Sequence, residues 1–175
     1  ITTSLTGGMR VGINVNNSGT DDNEIYKNKL NTLDVGVAGN GLNHDGNYQK
    51  GLQFLCNDFL GNGTAISINS SPINDGVRFY QGNFSPLKSA GNIFMTNTLD
   101  IDNSANSIVY IHNGGNTEPI NYQGMVTFQD TLIANSCPTS FKDGIIMKPV
   151  LLVLDSLNAE LGELITSYNN LNFAY

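Results

Sequence analysis

The feature that most constrains this chain is a degenerate internal repeat of short alternating strands. Val11-Gly12-Ile13-Asn14-Val15, Asp34-Val35-Gly36-Val37 and Ala65-Ile66-Ser67-Ile68-Asn69 set apolar residues at every second position, the period of a half-buried strand. A second kind of segment alternates with the first: Ile25–Leu30, Phe54–Phe59 and Phe79–Phe84, each with Asn near its middle and a large apolar residue at its close. The steps are 24 residues from Val11 to Val35, 31 from Val35 to Ile66, 29 from Ile25 to Phe54 and 25 from Phe54 to Phe79. Repeats of roughly 20 to 50 residues mark solenoids, propellers or arrays, and propeller blades need about 40 residues or more. Period two excludes helical repeats. The expected fold is therefore all-β: a right-handed parallel β-helix (β-solenoid) of about four coils, with loops such as 39–50 free to grow. At about 4.8 Å of rise per coil it would stand about 20 Å tall.

Composition supports many tight turns. The 175 residues include 26 Asn and 19 Gly, the two residue types that enter left-handed backbone conformations most readily. Asn28 and Asn57, with Asn83 one position further along, read as a stacked inward column bonded along the repeat. From Met95 to Phe141 the period is lost, and residues 107–112 and 125–128 read as strands of an irregular β cap. Beyond it, Leu154, Leu157, Leu161, Leu164, Tyr168 and Leu171 follow 3-4-3-4-3 spacing, which predicts a C-terminal amphipathic α-helix. Pro149 suits its start, and Asp155, Glu160 and Glu163 its N-terminal half. The expected organisation is coils and cap over 1–147 and the helix over 148–175, packed on the solenoid or on a partner.

Charge narrows the function classes. Charged residues make up only 13% of the chain and the net charge is −7, so no basic face exists to displace counterions from nucleic acid. Anionic membrane surfaces are disfavoured on the same ground, and no apolar run is long enough for membrane insertion. Ile1 reads as a mature or fragment terminus. Cys56 and Cys137 are too far apart for a CxxC metal or redox unit; two buried thiols and one long-range disulfide both fit. Few Lys and many Asn favour an extracellular setting.

Parallel β-helices include carbohydrate-active enzymes, so acids were weighed as a catalytic pair. Asp34, Asp58 and Asp75 could lie together on stacked coils, with Lys27 or Arg78 as a cationic base. Asp58 and Asp75 sit beside Asn and Gly, where turn hydrogen bonds explain them. Asp21-Asp22-Asn23 and Asp100-Ile101-Asp102-Asn103 match no calcium-loop pattern. His44 and His112 stand alone in sequence and read as loop or strand-surface residues. No catalytic, cofactor or metal residue is assigned. Tyr26, Tyr48 and Tyr80 are the candidates for stacking on sugar rings.

The segments 51–59 (Gly-Leu-Gln-Phe-Leu-Cys-Asn-Asp-Phe) and 76–82 (Gly-Val-Arg-Phe-Tyr-Gln-Gly), with 89–94 and Asn135-Ser136-Cys137-Pro138, resemble the last coils of β-helix surface proteins of Bacteroidota. The resemblance implies export by the type IX secretion system, cell-surface or extracellular placement, and adhesion to surface glycans or proteins, secretion-system proteins among them. It also implies that the chain is part of a larger protein. Asp130-Thr131-Leu132 and Asp155-Ser156-Leu157 look like the sites at which such bacteria attach O-glycans, which would place them on Thr131 and Ser156. The functional expectation is a non-enzymatic binding module; the alternative is a polysaccharide lyase or glycoside hydrolase.

Overall fold

The structure is a computed structural model that describes residues 8–70 and 75–138. The chain divides into two compact units, Ile1–Cys137 and Pro138–Tyr175, and the first carries the architecture. Its strands come in successive turns of the chain. The first turn holds β1 (Val11–Asn16), β2 (Asn23–Tyr26) and β3 (Lys29–Asn31). The second holds β4 (Val35–Asn40), β5 (Leu42–Asn43), β6 (Leu52–Leu55) and β7 (Asp58–Leu60). The third holds β8 (Thr64–Asn69), β9 (Gly76–Val77), β10 (Tyr80–Gln81), the hairpin of β11 (Asn83–Phe84) and β12 (Leu87–Lys88), and β13 (Ile93–Met95). The long β14 (Leu99–His112) and β15 (Tyr122–Asp130) complete the set.

Equivalent strands pair in parallel from turn to turn. Ile13, Val37, Ile66 and Ile101 align in one ladder, Ile25 and Phe54 in a second, and Leu30, Phe59 and Phe94 in a third. These aligned apolar columns form the core, with Phe54, Phe59, Ile66, Ile68 and Ile101 almost wholly excluded from water. Burying each such side chain is worth about 1.5–3 kcal/mol.

Corners between the ladders follow one rule. A residue with positive φ is followed by Asn, whose side chain turns inward. Lys27 (φ 59), Cys56 (φ 58) and Gly91 (φ 72) occupy one corner, and Asn28, Asn57 and Asn92 follow them. The Asn57 Oδ1 accepts from the Asn28 N–H at 3.0 Å and from the Asn28 side-chain amide at 3.0 Å. Asn92 Oδ1 does the same for Asn57, at 2.9 and 3.1 Å. The Asn57 amide also donates to the Ile25 carbonyl at 2.8 Å, and the Asn92 amide to the Phe54 carbonyl and the buried Tyr110 hydroxyl. A second corner repeats this after Gly61 (φ 63) and Thr96 (φ 57), while in the first turn Thr32 (φ 52) is followed by Leu33, which contributes only its backbone N–H. There Asn62 Oδ1 accepts from the Leu33 N–H, and Asn97 Oδ1 from the Asn62 N–H and side-chain amide.

The sequence expectation for the fold is corrected in several places. The described chain is all-β, but its ladders are short, fall into five separate sheets and do not close into a solenoid of about four coils. Corner and loop residues interrupt the ladders, so parallel pairing stays within separate sheets; the fourteen-residue β14 pairs with β8, β10 and β15, with a register shift against β15 between Asn103 and Ile108. No α-helix occurs among the described residues, and the expected helix over 148–175 lies outside them. Stacking also does not stop at Met95: Ile93–Met95 pair with Asp58–Leu60, and Ile101 with Ile66. The column partner of Asn57 is Asn92, not Asn83, which lies exposed in the β11–β12 hairpin.

Cys56 and Cys137 form a disulfide, with Cα atoms 5.6 Å apart and a sequence separation of 81. Closing a loop of that length removes about 4 kcal/mol of unfolded-chain entropy. Gly91 makes room for it, since a Cβ there would meet both sulfurs at 3.0 and 3.2 Å.

The column makes a quantitative prediction. Asn57→Ala strips partners from the Asn28 N–H and the Ile25 carbonyl and is expected to cost about 3 kcal/mol, since each buried group left without a partner costs about 1–3 kcal/mol. Asn14→Ala removes a single exposed amide contact and should cost about 1 kcal/mol or less. Urea unfolding of both variants checks this; equal, small losses would contradict the role given to the column.

Candidate functional site

Among the described residues, a cleft of about 390 Å³ is lined by Tyr48, Phe79, Asn106, Ser107 and Met125. That is within the size range of small-molecule sites, and its mix of aromatic walls with few polar groups is their usual character. Its five residues come from four separate stretches of chain, brought together by the stacking of turns.

Tyr48 sits on a loop between β5 and β6 that is closed by a bridge between His44 and Gly51. Within that loop, Asp45 organises the backbone. Its Oδ1 accepts from the Gln49 N–H at 2.7 Å and the Lys50 N–H at 3.1 Å, and its own N–H donates to the Lys50 carbonyl at 3.1 Å. These bonds, that from the Lys50 N–H foremost, hold the Asp45 carboxyl below the usual carboxylate range. The buried His44 ring stacks on Tyr48 at 3.9 Å between centroids, and the Tyr48 carbonyl accepts from the Phe79 N–H at 2.9 Å. The two aromatic walls are therefore tied to each other through backbone. Gly51 is required here: its φ is +137°, and a Cβ would meet the Asn43 carbonyl oxygen at 2.3 Å.

The opposite side is equally fixed. The Asn106 side chain accepts from the Val77 N–H and donates to the Val77 carbonyl, both at 2.9 Å, and so splices β9 to β14. Ser107 Oγ lies 3.9 Å from the Met125 sulfur, a weak contact that leaves the hydroxyl able to serve a ligand. Among the described residues no charged side chain lines the cleft.

The three tyrosines expected to stack on sugars do not converge. Tyr48 alone lines the cleft. Tyr80 lies on the neighbouring strand, edge-on to Phe79 at 4.8 Å and stacked on the exposed Phe84 at 4.5 Å. Tyr26 packs half-buried against the core on β2, where burial, and then Glu24, raise its pKa.

The acids are likewise dispersed. Asp34 accepts from the Arg10 N–H at 2.7 Å and pairs with its guanidinium at 3.4 Å; the N–H bond is the larger cause of its lowered pKa. Asp58 lies on β7 in register with Lys29, while Asp34 and the buried Asp75 directly precede β4 and β9, so the three lie at strands of three different sheets. Lys27 donates to the Cys137 carbonyl at 2.9 Å. Arg78 bonds Gln53 Oε1 at 2.9 Å and Asp22 Oδ1 at 3.3 Å. Asp22 also accepts from the Gly51 N–H, and the Asp21 carbonyl from the Asn23 side chain. Asp100 is spent on the loop ahead of β15, accepting from the Asn97 amide and the Ile120 and Asn121 N–H groups; Asp102 lies further along β14. Among the described residues no group of three or more His, Cys, Asp or Glu could hold a metal ion.

Both histidines correct the surface expectation, since His44 and His112 are buried. His112 Nδ1 accepts from the Gly114 N–H at 3.3 Å, which leaves the proton on Nε2, 3.4 Å from Asp130 Oδ1. The Thr131 hydroxyl donates to the Leu87 carbonyl and accepts from the Ile133 N–H; Ser156 lies outside the described residues. Asn106, Ser107 and Met125 carried no sequence signal of their own, because nothing local marks residues that meet only through stacking. No helix among the described residues is long and apolar enough to cross a membrane. Comparison with known proteins finds no matching family model, no matching curated protein and no matching solved structure.

The Asp45 anchor sets a pH dependence. Its folded pKa is lowered, so its ordering of the loop is complete above the ordinary carboxylate pKa of about 4 and is lost as pH falls through the folded value. Amide resonances of Gln49 and Lys50 should move together below about pH 4, and Asp45→Ala should show the loosened loop already at pH 7. Unchanged Gln49 and Lys50 shifts in Asp45→Ala would refute the anchor.

Proposed function

We propose that this chain is a non-enzymatic binding module that works outside the cell, holding an uncharged glycan in the cleft walled by Tyr48 and Phe79. The observation that carries the reading is the cleft itself: two backbone-linked aromatic side chains facing Met125, with Ser107 as the hydrogen-bonding group. Aromatic faces suit the apolar faces of sugar rings, and a pre-organised wall spares the ligand the cost of ordering it. The lack of charge among the described lining residues favours neutral sugars over uronates or sulfated chains, which would call for cationic partners.

Extracellular placement is supported by the disulfide, since such bonds persist in oxidising compartments. The resemblance of 51–59 and 76–82 to Bacteroidota surface proteins supports the further reading that the chain belongs to a larger protein exported by the type IX route.

Saturation-transfer NMR with neutral oligosaccharides at millimolar concentration tests the proposal. Binding is expected in the wild type and should fall at least about tenfold, or about 1.4 kcal/mol, in Tyr48→Ala and Phe79→Ala. Tyr26→Ala, far from the cleft lining, should bind as the wild type does. Saturation transfer that persists unchanged in both cleft variants would overturn the assignment.

A further inference from the structure

We propose that residues 131–137 form a strap that the Cys56–Cys137 disulfide buckles across the stacked turns, and that reduction by a dithiol releases the strap while the stack stays folded. The strap crosses successive turns in descending order. Its Thr131 N–H donates to the His112 carbonyl at 2.9 Å, in the last turn. The Thr131 hydroxyl donates to the Leu87 carbonyl at 3.0 Å, and the Ile133 carbonyl accepts from the buried Ser89 N–H at 3.1 Å, both in the third. Cys137 is bonded to Cys56 in the second turn, and its carbonyl accepts from Lys27 in the first.

What holds the strap is the covalent bond. Leu132 is fully exposed and Ile133 is 51% exposed, so its apolar side chains bury little. A few hydrogen bonds do not offset the backbone entropy of the ordered residues 131–137. By contrast the stack beneath has its own apolar columns and Asn corners, none of which involves the strap.

The buckle is open to attack. Both cysteines line a cleft of about 160 Å³ together with Lys27, Lys29 and Asp58. Cys56 is buried and Cys137 only half-buried, which directs an incoming thiolate to the Cys137 sulfur. The new S–S bond forms there, the Cys56–Cys137 bond breaks, and Cys56 leaves as a thiolate with the bonding pair, near two lysines that favour the anion. The second thiol of the reductant, as its thiolate, then attacks the sulfur of its own mixed disulfide. Cys137 departs as a thiolate, both cysteines take up protons, and the dithiol ends as a cyclic disulfide. Two electrons pass from dithiol to cystine. The chain would thus carry an open strap in a reducing compartment and a closed one in an oxidising compartment.

Hydrogen exchange on the whole chain, oxidised and after treatment with dithiothreitol, tests this. Protection at Thr131 and Ser89 should fall at least tenfold on reduction, while Asn62 and Ile66 keep theirs. Cys137→Ser should show the same pattern without reductant, which separates strap release from any effect of the reagent. Three results would overturn the proposal: unchanged protection at Thr131 and Ser89, a native disulfide that dithiothreitol does not reduce, or loss of protection at Asn62 and Ile66 together with the strap.

Discussion

Everything in this fold depends on how the corners between parallel ladders are satisfied. A strand can hand its N–H and C=O groups to the turn above and below, but a corner interrupts that ladder and leaves polar backbone facing the core. Burying those groups without partners costs about 1–3 kcal/mol each. Here a left-handed residue turns the chain, and the Asn after it sends its side chain inward to act as a second strand edge. Its carbonyl oxygen accepts from the corner N–H of the turn below, and its amide donates to a carbonyl in that lower turn. The two columns end in groups that can close them, the Tyr110 hydroxyl and the Asp100 carboxylate.

The same corners position what lies on the surface. Cys56 is a corner residue, and its left-handed conformation places its sulfur beside Gly91, the corner residue of the next turn. The strap can therefore buckle onto the stack without crossing the core. On another side, stacking sets the 44–51 loop of one turn beside Phe79 of the next and beside residues 106–107 of β14. Asp45 and Gly51 then give that loop one shape, and the cleft follows from it. The cleft and the strap depend on the corners for their placement and on short-range bonds for their detail.

Much of this was legible in the residues. Alternation marked β1, β4 and β8, and the match of Ile25 with Phe54 was in correct register. The role of Asn28 and Asn57 was legible as well, since Asn recurring after an apolar strand end has few other uses. Register was lost where loops changed length. Phe79 resembles Phe54 locally, yet the true successor of the 54–59 segment comes after the β11–β12 hairpin, so the local pattern points to Asn83 where the column continues at Asn92. A rule based on the corner, a left-handed residue followed by Asn, would have found Gly91-Asn92 and Thr96-Asn97. The cleft was beyond local reasoning, as Tyr48, Phe79, Asn106 and Met125 share no pattern.

The corner columns are tested most directly by native-state hydrogen exchange of the Asn28, Leu33, Asn57 and Asn62 N–H groups. Each donates to an Asn side chain of the next turn, and no strand ladder protects it. The account predicts that Asn57 and Asn62 exchange as slowly as the core strand amides of Ile66 and Ile101, opening only with global unfolding. Exchange of these two at the rate of exposed turns, while Ile66 and Ile101 remain protected, would show that the columns are incidental to the fold.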